Sequence, residues 1–453
     1  MARGKKQAEL TLEERLKEAL VPEEEQPYEV PGNWVWVKLC ALLNEIKNGT
    51  TVKQDKNCKG YSVTRIESLQ HNTINFDRLG TIIDESQIKQ TDWYNEGDIA
   101  LSHINSVEHV GKTALINEDM LPLVHGMNLL RLRFNKAFLP VLFQYYSQSY
   151  QYKTEIISRI NMAVNQVSIN QKQLGMLEIP LPPLAEQQRI VDCVASLFAK
   201  LDEAKEKAQA ALDSFETRKA AVLHKAFTGE LTAKWREEHG ISTTSWARKR
   251  FDEVAEIKSN LVDPAQYSSF PHIAPDNIEK RTGRLLDYHT IAEDKVMSGK
   301  HRFYPGQILY SKIRPYLSKV VVVDFDGLCS ADMYPITAKG DIVYLWYCML
   351  SEDFLEQASS AGSRSVLPKI NQKELSSLQV SICSLPEQQE IVRILDDLLA
   401  KEQRTKDVCI EVLSCIDLIK KSILAQAFRG KLGTNNPTEE SAVELLKQCL
   451  AQK

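Results

Sequence analysis

The chain has 453 residues, of which 43% are hydrophobic and 26% charged, and it carries a formal net charge of −4. That balance describes a folded protein with room for roughly two to four cores, and it excludes a disordered or strongly basic chain. No apolar run of about 18 residues occurs and Met1 to Leu20 is charged throughout, which predicts no spanning helix, no secretory signal and a cytoplasmic location.

Nine cysteines are scattered without a CxxC pair, so they read as reduced structural thiols rather than metal ligands. Because the net charge offers no attraction to nucleic acid, binding of DNA would need local basic patches or a partner protein.

In chain order, the first element is a short amphipathic helix over Ala8 to Leu20, inside a tail of residues 1–30. Residues 31–182 read as a mixed α/β domain: short β-rich runs such as Asp98 to Leu101 are punctuated by Gly, Pro, Asn and Asp, and a tyrosine-rich helix is expected over Phe138 to Tyr152. Residues 183–232 form a spacer in which Pro182-Pro183 opens a long helix and Gly229 caps it. Along it Val194, Leu197, Leu201, Ala204, Ala208, Ala211 and Phe215 recur at steps of three and four, the narrow stripe of a helix packed along another helix.

Residues 233–384 form a second mixed domain, with a strand at Val320 to Val323 and a helix over Ile342 to Ala358. Residues 385–432 are the second spacer helix, striped by Leu395, Leu398, Thr405, Cys409, Val412, Ile416, Ile419 and Ile423, broken by Glu402 and capped by Gly430. A tail of residues 433–453 carries a short helix over Glu439 to Leu450. Each long helix spans roughly 40 residues, or about 60 Å.

The chain is thus one unit written twice. LPPLAEQQRIV around Leu181 answers LPEQQEIV around Leu385, and the Gln187-Gln188 and Gln388-Gln389 pairs lie 201 residues apart. SINQKQL (Ser168 to Leu174) matches KINQKEL (Lys369 to Leu375), and KAFTGEL (Lys225 to Leu231) matches QAFRGKL (Gln426 to Leu432), both at the same offset. Upstream, GDIALSHI at Gly97 pairs with GQILYSKI at Gly306 with an offset of 209, and NEIKNG at Asn44 with AEIKSN at Ala255 with one of 211. A constant offset in one part and a drifting one in another separates a fixed segment from a variable one. The predicted architecture is α+β: two tandem mixed domains separated by two long antiparallel helices forming a coiled coil, related by a pseudo-two-fold axis.

Catalytic signatures are missing. There is no GxxxxGK[ST] loop, GxGxxG, HExxH or GxSxG, and no Asn/Asp-Pro-Pro-aromatic tetrapeptide of an adenine methylase. Glu45-Ile46-Lys47 and Glu256-Ile257-Lys258 suggest a metal-dependent nuclease, but Pro275-Asp276 follows its tripeptide instead of preceding it. No catalytic or metal-binding residue is therefore assigned.

Basic residues are more informative. From Lys295 to Lys319 there is no Asp or Glu, while Lys300, Arg302, Lys312 and Arg314 alternate with Phe303, Tyr304, Tyr310 and Tyr316, the composition of a face that grips phosphates or a guanine edge. The corresponding stretch of the first copy contains Asp92, Glu96, Asp98 and Glu108, and its acid-free region is Met120 to Thr154 with Arg131 and Arg133. Two loops recur in both copies: Ser102-His103-Ile104-Asn105 matches Ser311-Lys312-Ile313-Arg314, and Asn165-Gln166 matches the segment with Arg364 just before Lys369. The DNA-binding candidates are Ser102, His103, Asn105, Arg131, Arg133, Asn165, Gln166, Lys300, Arg302, Lys312, Arg314, Tyr316, Arg364 and Lys369. A solvated strand face is the plain alternative for these residues, and a scaffold whose coiled helices tether two protein-binding modules is the alternative for the whole chain.

With its two variable units, each closed by a Pro-Leu-Pro-Pro-Leu-x-Glu-Gln-Gln-like start and an Ala-Phe-x-Gly-x-Leu helix end, the chain resembles the specificity subunits of type I restriction-modification systems from Trp34 to Leu432. The second copy departs slightly, with Ser384-Leu385-Pro386-Glu387 shortening the proline start. The resemblance implies two target-recognition domains reading the halves of a split, asymmetric site in double-stranded DNA. It further implies a helical spacer, two methylase subunits carrying S-adenosylmethionine, and restriction subunits using ATP and Mg, with no cofactor in this chain. The bases recognised are not implied.

Overall fold

The computed structural model describes residues 10–55, 59–163, 166–242, 245–361 and 368–452, which divide into two compact units. The first comprises residues 1–206 and 412–453, the second residues 207–411.

The core of the first unit is a four-stranded antiparallel sheet in the order Leu43–Asn48, Leu129–Phe134, Ile99–Ser102, Thr113–Leu115. Strand side chains alternate between faces. Ile99, Leu101, Leu130 and Leu132 join one apolar cluster with Phe143, Tyr146 and Ile156, while Ala100, Ala114 and Leu129 join another with Leu69, Ile74 and Tyr94. Burial on both faces explains why Asp98 to Leu101 reads as a short apolar run rather than an alternation.

The second unit repeats the order with Ala255–Ile257, Met333–Ala338, Gln307–Ser311 and Val320–Val323, again all antiparallel. Ile308, Tyr310 and Ile336 face one cluster, and Leu309, Val321 and Met333 the other. In each unit the beginning and end of the variable segment pair as two strands: Val35–Lys38 with Glu178–Leu181, and Ala247–Arg250 with Gln379–Ile382.

The tyrosine-rich helix expected over Phe138 to Tyr152 is two helices, Pro140–Tyr146 and Tyr150–Arg159, because Ser149 caps a new start by accepting the Tyr152 N–H. Its counterpart is likewise divided, into Ile342–Leu350 and Glu352–Ala361. The second of the first unit's pair holds Glu155, which is buried and accepts the Glu178 N–H at 3.1 Å, 3.8 Å from Arg159.

The first long helix runs Leu184–Asp213 and continues as Phe215–Phe227. The break falls at Ser214, whose hydroxyl donates back to the carbonyls of Ala210 and Ala211 and competes with the backbone ladder. The second long helix, Leu385–Ala427, is continuous. In the first unit the start of the first helix meets the end of the second: Ile190 and Val194 share a core with Leu424 and Phe428, and the Lys420 ammonium lies 5.0 Å from the Phe198 ring and bonds Asp202. In the second unit the relation is reversed, with Leu223 and Ala226 against Ile391 and Leu395, and Arg218 paired with Glu402 at 2.7 Å. The two helices therefore run antiparallel.

The second helix presents a seam different from the expected one. Thr405, Val412 and Ile419 are exposed, and Glu402 and Lys406 sit on the packed side, the latter 4.6 Å from the Phe215 ring. Long charged side chains lay their apolar stems along a helix seam while the head finds a partner, so an apolar stripe alone misplaces it.

Each long helix is anchored at its first turn in the same way. Gln187 donates to the Ala137 and Pro182 carbonyls and accepts the Leu139 N–H; Gln388 donates to the Cys383 carbonyl and accepts the Asp341 N–H. The preceding Glu186 has no solvent exposure and accepts from the Trp34 indole at 2.7 Å and from Asn435 and Thr434. Glu387, equally buried, accepts at Oε1 from the Trp246 indole at 3.0 Å, from Thr232 and from Arg236, while its Oε2 has no hydrogen-bond partner among the described residues. The turn that returns the tail to Glu186 needs glycine: Gly430 has φ 67°, and a Cβ there would lie 2.3 Å from Pro31. The terminal helices are Leu12–Ala19 and Ala442–Ala451, shorter than expected, and they pack together within the first unit, with Leu446 and Leu450 in the same core as Ala19.

Truncating Glu387 to alanine strands the Arg236 guanidinium in the interior, a loss of about 3–5 kcal/mol. Chemical denaturation of Glu387→Ala should show the second unit unfolding at clearly lower denaturant than in the wild type; an unchanged midpoint would contradict this role. Burial first, then the neighbouring Glu178 carboxylate, raises the Glu155 pKa toward neutrality. The folded chain therefore takes up this proton more readily than the unfolded one, and the stability it gives is full below the ordinary carboxylate range and is lost as pH rises to about 7. Glu155→Gln keeps an acceptor for the Glu178 N–H, so its melting temperature should fall less steeply than that of the wild type between about pH 4.5 and 7; identical slopes would refute the assignment.

Candidate nucleic-acid interface

In the first unit the strand Ile99–Ser102 runs into Ile104–Asn105, which pairs with Gln166–Ser168, and that strand pairs with Asn161–Ala163. The Ile169 N–H donates to the His103 carbonyl at 2.9 Å. In the second unit Ile313 bridges Lys369, and the Ile370 N–H donates to the Lys312 carbonyl, also at 2.9 Å. The segment that opens each INQK motif, residues 166–169 and 368–370, therefore pairs in matching register with the loop at Ile104 or Ile313.

Within this frame the candidates divide by whether a polar head is already committed. Several are corrections to the sequence reading. Ser102 is buried and accepts a bond from the Asn105 side-chain amide at 3.1 Å, while the Asn105 side-chain oxygen accepts the Ser106 N–H; Asn105 itself is half-buried. Arg131 is 1% exposed, donating to the Thr91 and Trp93 carbonyls and to Glu45, and Arg133 grips Asp98 through two bonds of 2.8 and 2.7 Å. These two arginines are counter-charges to Glu45 and Asp98, the second of which is one of the acids of the first copy's stretch, and they tie neighbouring strands together. Lys300 is buried with its ammonium on the Ser298 carbonyl and hydroxyl.

His103 is partly buried, and burial lowers its pKa below the usual histidine value, favouring the neutral ring. Lys312, partly buried, bonds the Ala331 carbonyl, and Lys369, exposed, bonds Asp332 at 3.2 Å. Gln166 is exposed. Asn165 and Arg364 lie outside the described residues.

Arg314 differs from the other cations. It is exposed and its guanidinium has no partner among the described residues. Its backbone is left-handed, φ 49° and ψ 59°, and Ser318 at the other end of the Pro315–Leu317 turn is left-handed as well. Non-glycine residues in this region store strain and persist only where surroundings over-determine them. Here the Arg314 N–H donates to the Pro368 carbonyl at 2.8 Å, and the Arg281 N–H donates to Leu317 and Ser318. Tyr316, 45% exposed, stands at the tip.

Arg302 lies in a box of rings, its guanidinium carbon 4.8 Å from the Tyr304 ring centre, 5.4 Å from Tyr267 and 5.8 Å from Phe270. Tyr267 and Phe270 escaped the sequence reading because they precede the acid-free stretch. Only a count of aromatics beyond its edges could have suggested them.

Glu256 pairs with Lys258, and among the described residues no group of three or more His, Cys, Asp or Glu is placed to hold a metal. No helix among them is long and apolar enough to cross a membrane.

Two segments of the chain, residues 31–212 and 244–411, match the family model of the type I restriction modification DNA specificity domain. The EcoDI specificity subunit of Escherichia coli is 40% identical over 306 residues, covering 61% of this chain and 69% of that protein. The putative MjaX specificity subunit of Methanocaldococcus jannaschii is 28% identical over 433 residues, covering 89% and 95%. The crystal structure of the HsdS subunit from Thermoanaerobacter tengcongensis superposes with a TM-score of 0.64 at 18% identity, over 90% of this chain and all of that one, and shares its fold. With both copies of the repeat matched and relatives spanning nearly the full length, the chain belongs to the type I restriction-modification DNA specificity family.

Proposed function

We propose that each unit of this chain reads one half of a split, asymmetric site in double-stranded DNA, and that the paired long helices fix the number of unread base pairs between the halves. The observation that carries this reading is the recurrence of one loop pairing in both units on different side chains. His103 and Asn105 stand in the first where Lys312 and Arg314 stand in the second. A conserved frame with exchanged tips is what two readers of different sequences require.

The chain itself catalyses nothing in this account. Two methylase subunits dock on it with S-adenosylmethionine and flip the target adenines, one near each reader, and restriction subunits supply ATP- and Mg-dependent cleavage. A solved relative of the same fold comes from a study of the assembly of the type I restriction-modification system, which supports a multi-subunit partnership. Among the candidate cations Arg131, Arg133 and Lys300 are engaged within the fold, and the chain carries a net charge of −4, so the partners share phosphate neutralisation. The second long helix leaves the apolar side chains Val408 and Ile410 exposed in the second unit and Leu418 and Ile419 exposed in the first. A system of this kind works on DNA in the cytoplasm.

Purified chain with S-adenosylmethionine should transfer no methyl group until a methylase subunit is added; transfer by the chain alone would refute the division of labour. Within the assembled complex, Arg314→Ala should weaken or relax recognition of one half-site by roughly 1–3 kcal/mol and leave the other intact. The profile of methylated sites in cells carrying the variant reads this directly, and an unchanged profile would remove Arg314 from the interface.

A further inference from the structure

The second unit contains a five-stranded sheet in the order Leu261–Val262, Lys300–Phe303, Gly327–Cys329, Pro271–Ile273, His289–Thr290. Among the described residues the first unit has only two-stranded pairs beside its central sheet and the small sheet of the interface, such as Tyr61–Val63 with Gly80–Ile82. Arg302 stands on the second strand of the larger sheet, opposite Leu328. It is the arginine held by Tyr267, Phe270 and Tyr304, and the rings remove the rotamer freedom that a free arginine would lose on binding.

Its Nε is inaccessible to solvent and has no hydrogen-bond partner, whereas the side chain as a whole is 30% exposed, which leaves the outer edge of the guanidinium open. Among the described residues the carboxylate paired with it is Asp326, with Oδ1 3.9 Å from Nη2 and the side chain 48% exposed. A phosphate would be repelled by that carboxylate, and the neighbouring Lys300 ammonium, turned to Ser298, could not offset it. A base pair presents different chemistry. In the major groove the O6 and N7 atoms of guanine accept a bidentate arginine fork, while the N4 amino group of the paired cytosine donates to a carboxylate.

We infer that Arg302 and Asp326 together read one G·C pair of the second half-site, with Tyr267, Phe270 and Tyr304 as positioning residues. The inference rests on the DNA-reading function proposed above and adds a recognition element on a sheet that has no counterpart among the described residues of the first unit.

The test uses the complete complex of this chain with its methylase subunits and duplexes carrying its methylated motif, in which 7-deazaguanine, lacking the N7 acceptor, replaces each guanine of the second half-site in turn. The unaltered complex should lose affinity about tenfold or more at one guanine. Arg302→Ala should lose about as much on normal DNA and nothing further with the analogue at that position. Arg302→Lys, which keeps the charge without the fork, should not restore it. Asp326→Ala should relax the choice of that same base pair.

An analogue penalty that persists in Arg302→Ala would overturn the inference. So would a loss equal on every sequence with a shallower salt dependence, the mark of a phosphate contact, or a second half-site that contains no guanine. A complex that selects no motif at all would sink the function proposed above as well, whereas a selective complex without coupling to Arg302 would sink this inference alone.

Discussion

A carboxylate without access to water is held at the first turn of each long helix, and the rest of the architecture depends on keeping it satisfied. An unpaired buried charge costs several kcal/mol, so Glu186 and Glu387 are tolerable only while an indole N–H and groups from a returning tail donate to them. Meeting that demand fixes three things in each unit at once: where the helix leaves the head, where the opening tryptophan sits, and where the chain goes after the opposite helix ends. Gln187 and Gln388 add direct bonds to the head's own backbone, so a reader cannot turn on its helix without breaking buried hydrogen bonds.

Upon that base the heads share a frame and differ at the tips. The same four-strand order, the same closing strand pair and the same bond from the INQK isoleucine N–H to the His103 or Lys312 carbonyl recur, although the two copies have drifted apart by insertions. Variation is confined to what the frame carries, such as the five-stranded sheet of the second unit and the side chains of the paired loops. The frame also decides which charges are available. Arg131, Arg133 and Lys300 are internal counter-charges or packed side chains, and Arg314 and Arg302 are set by strain and by stacking with an edge left open.

Much of this was legible in the sequence. Repeats at a constant offset located the long helices, Gly229 and Gly430 marked their ends with positive φ, and the start of each INQK motif pairs with the first recurring loop in both units. The errors share one physical cause: composition does not show commitment. Arg131 and Arg133 look free because the acids that claim them, Glu45 and Asp98, are distant in sequence. Glu402 looks like a break in an apolar stripe because Arg218, its partner, lies on the other helix. The buried Glu186 and Glu387 were visible only as motif letters, since nothing local announces that a glutamate beside a glutamine pair will be enclosed.

The account's central claim is that two anchored readers each determine half of one DNA site. Mapping every methylated adenine in the genome of cells that carry this chain with its methylase tests it most directly. The claim predicts a single motif made of two different half-sites at a constant separation, with one modified adenine on each strand. A continuous motif, a separation that varies from site to site, or methylation without sequence preference would contradict it.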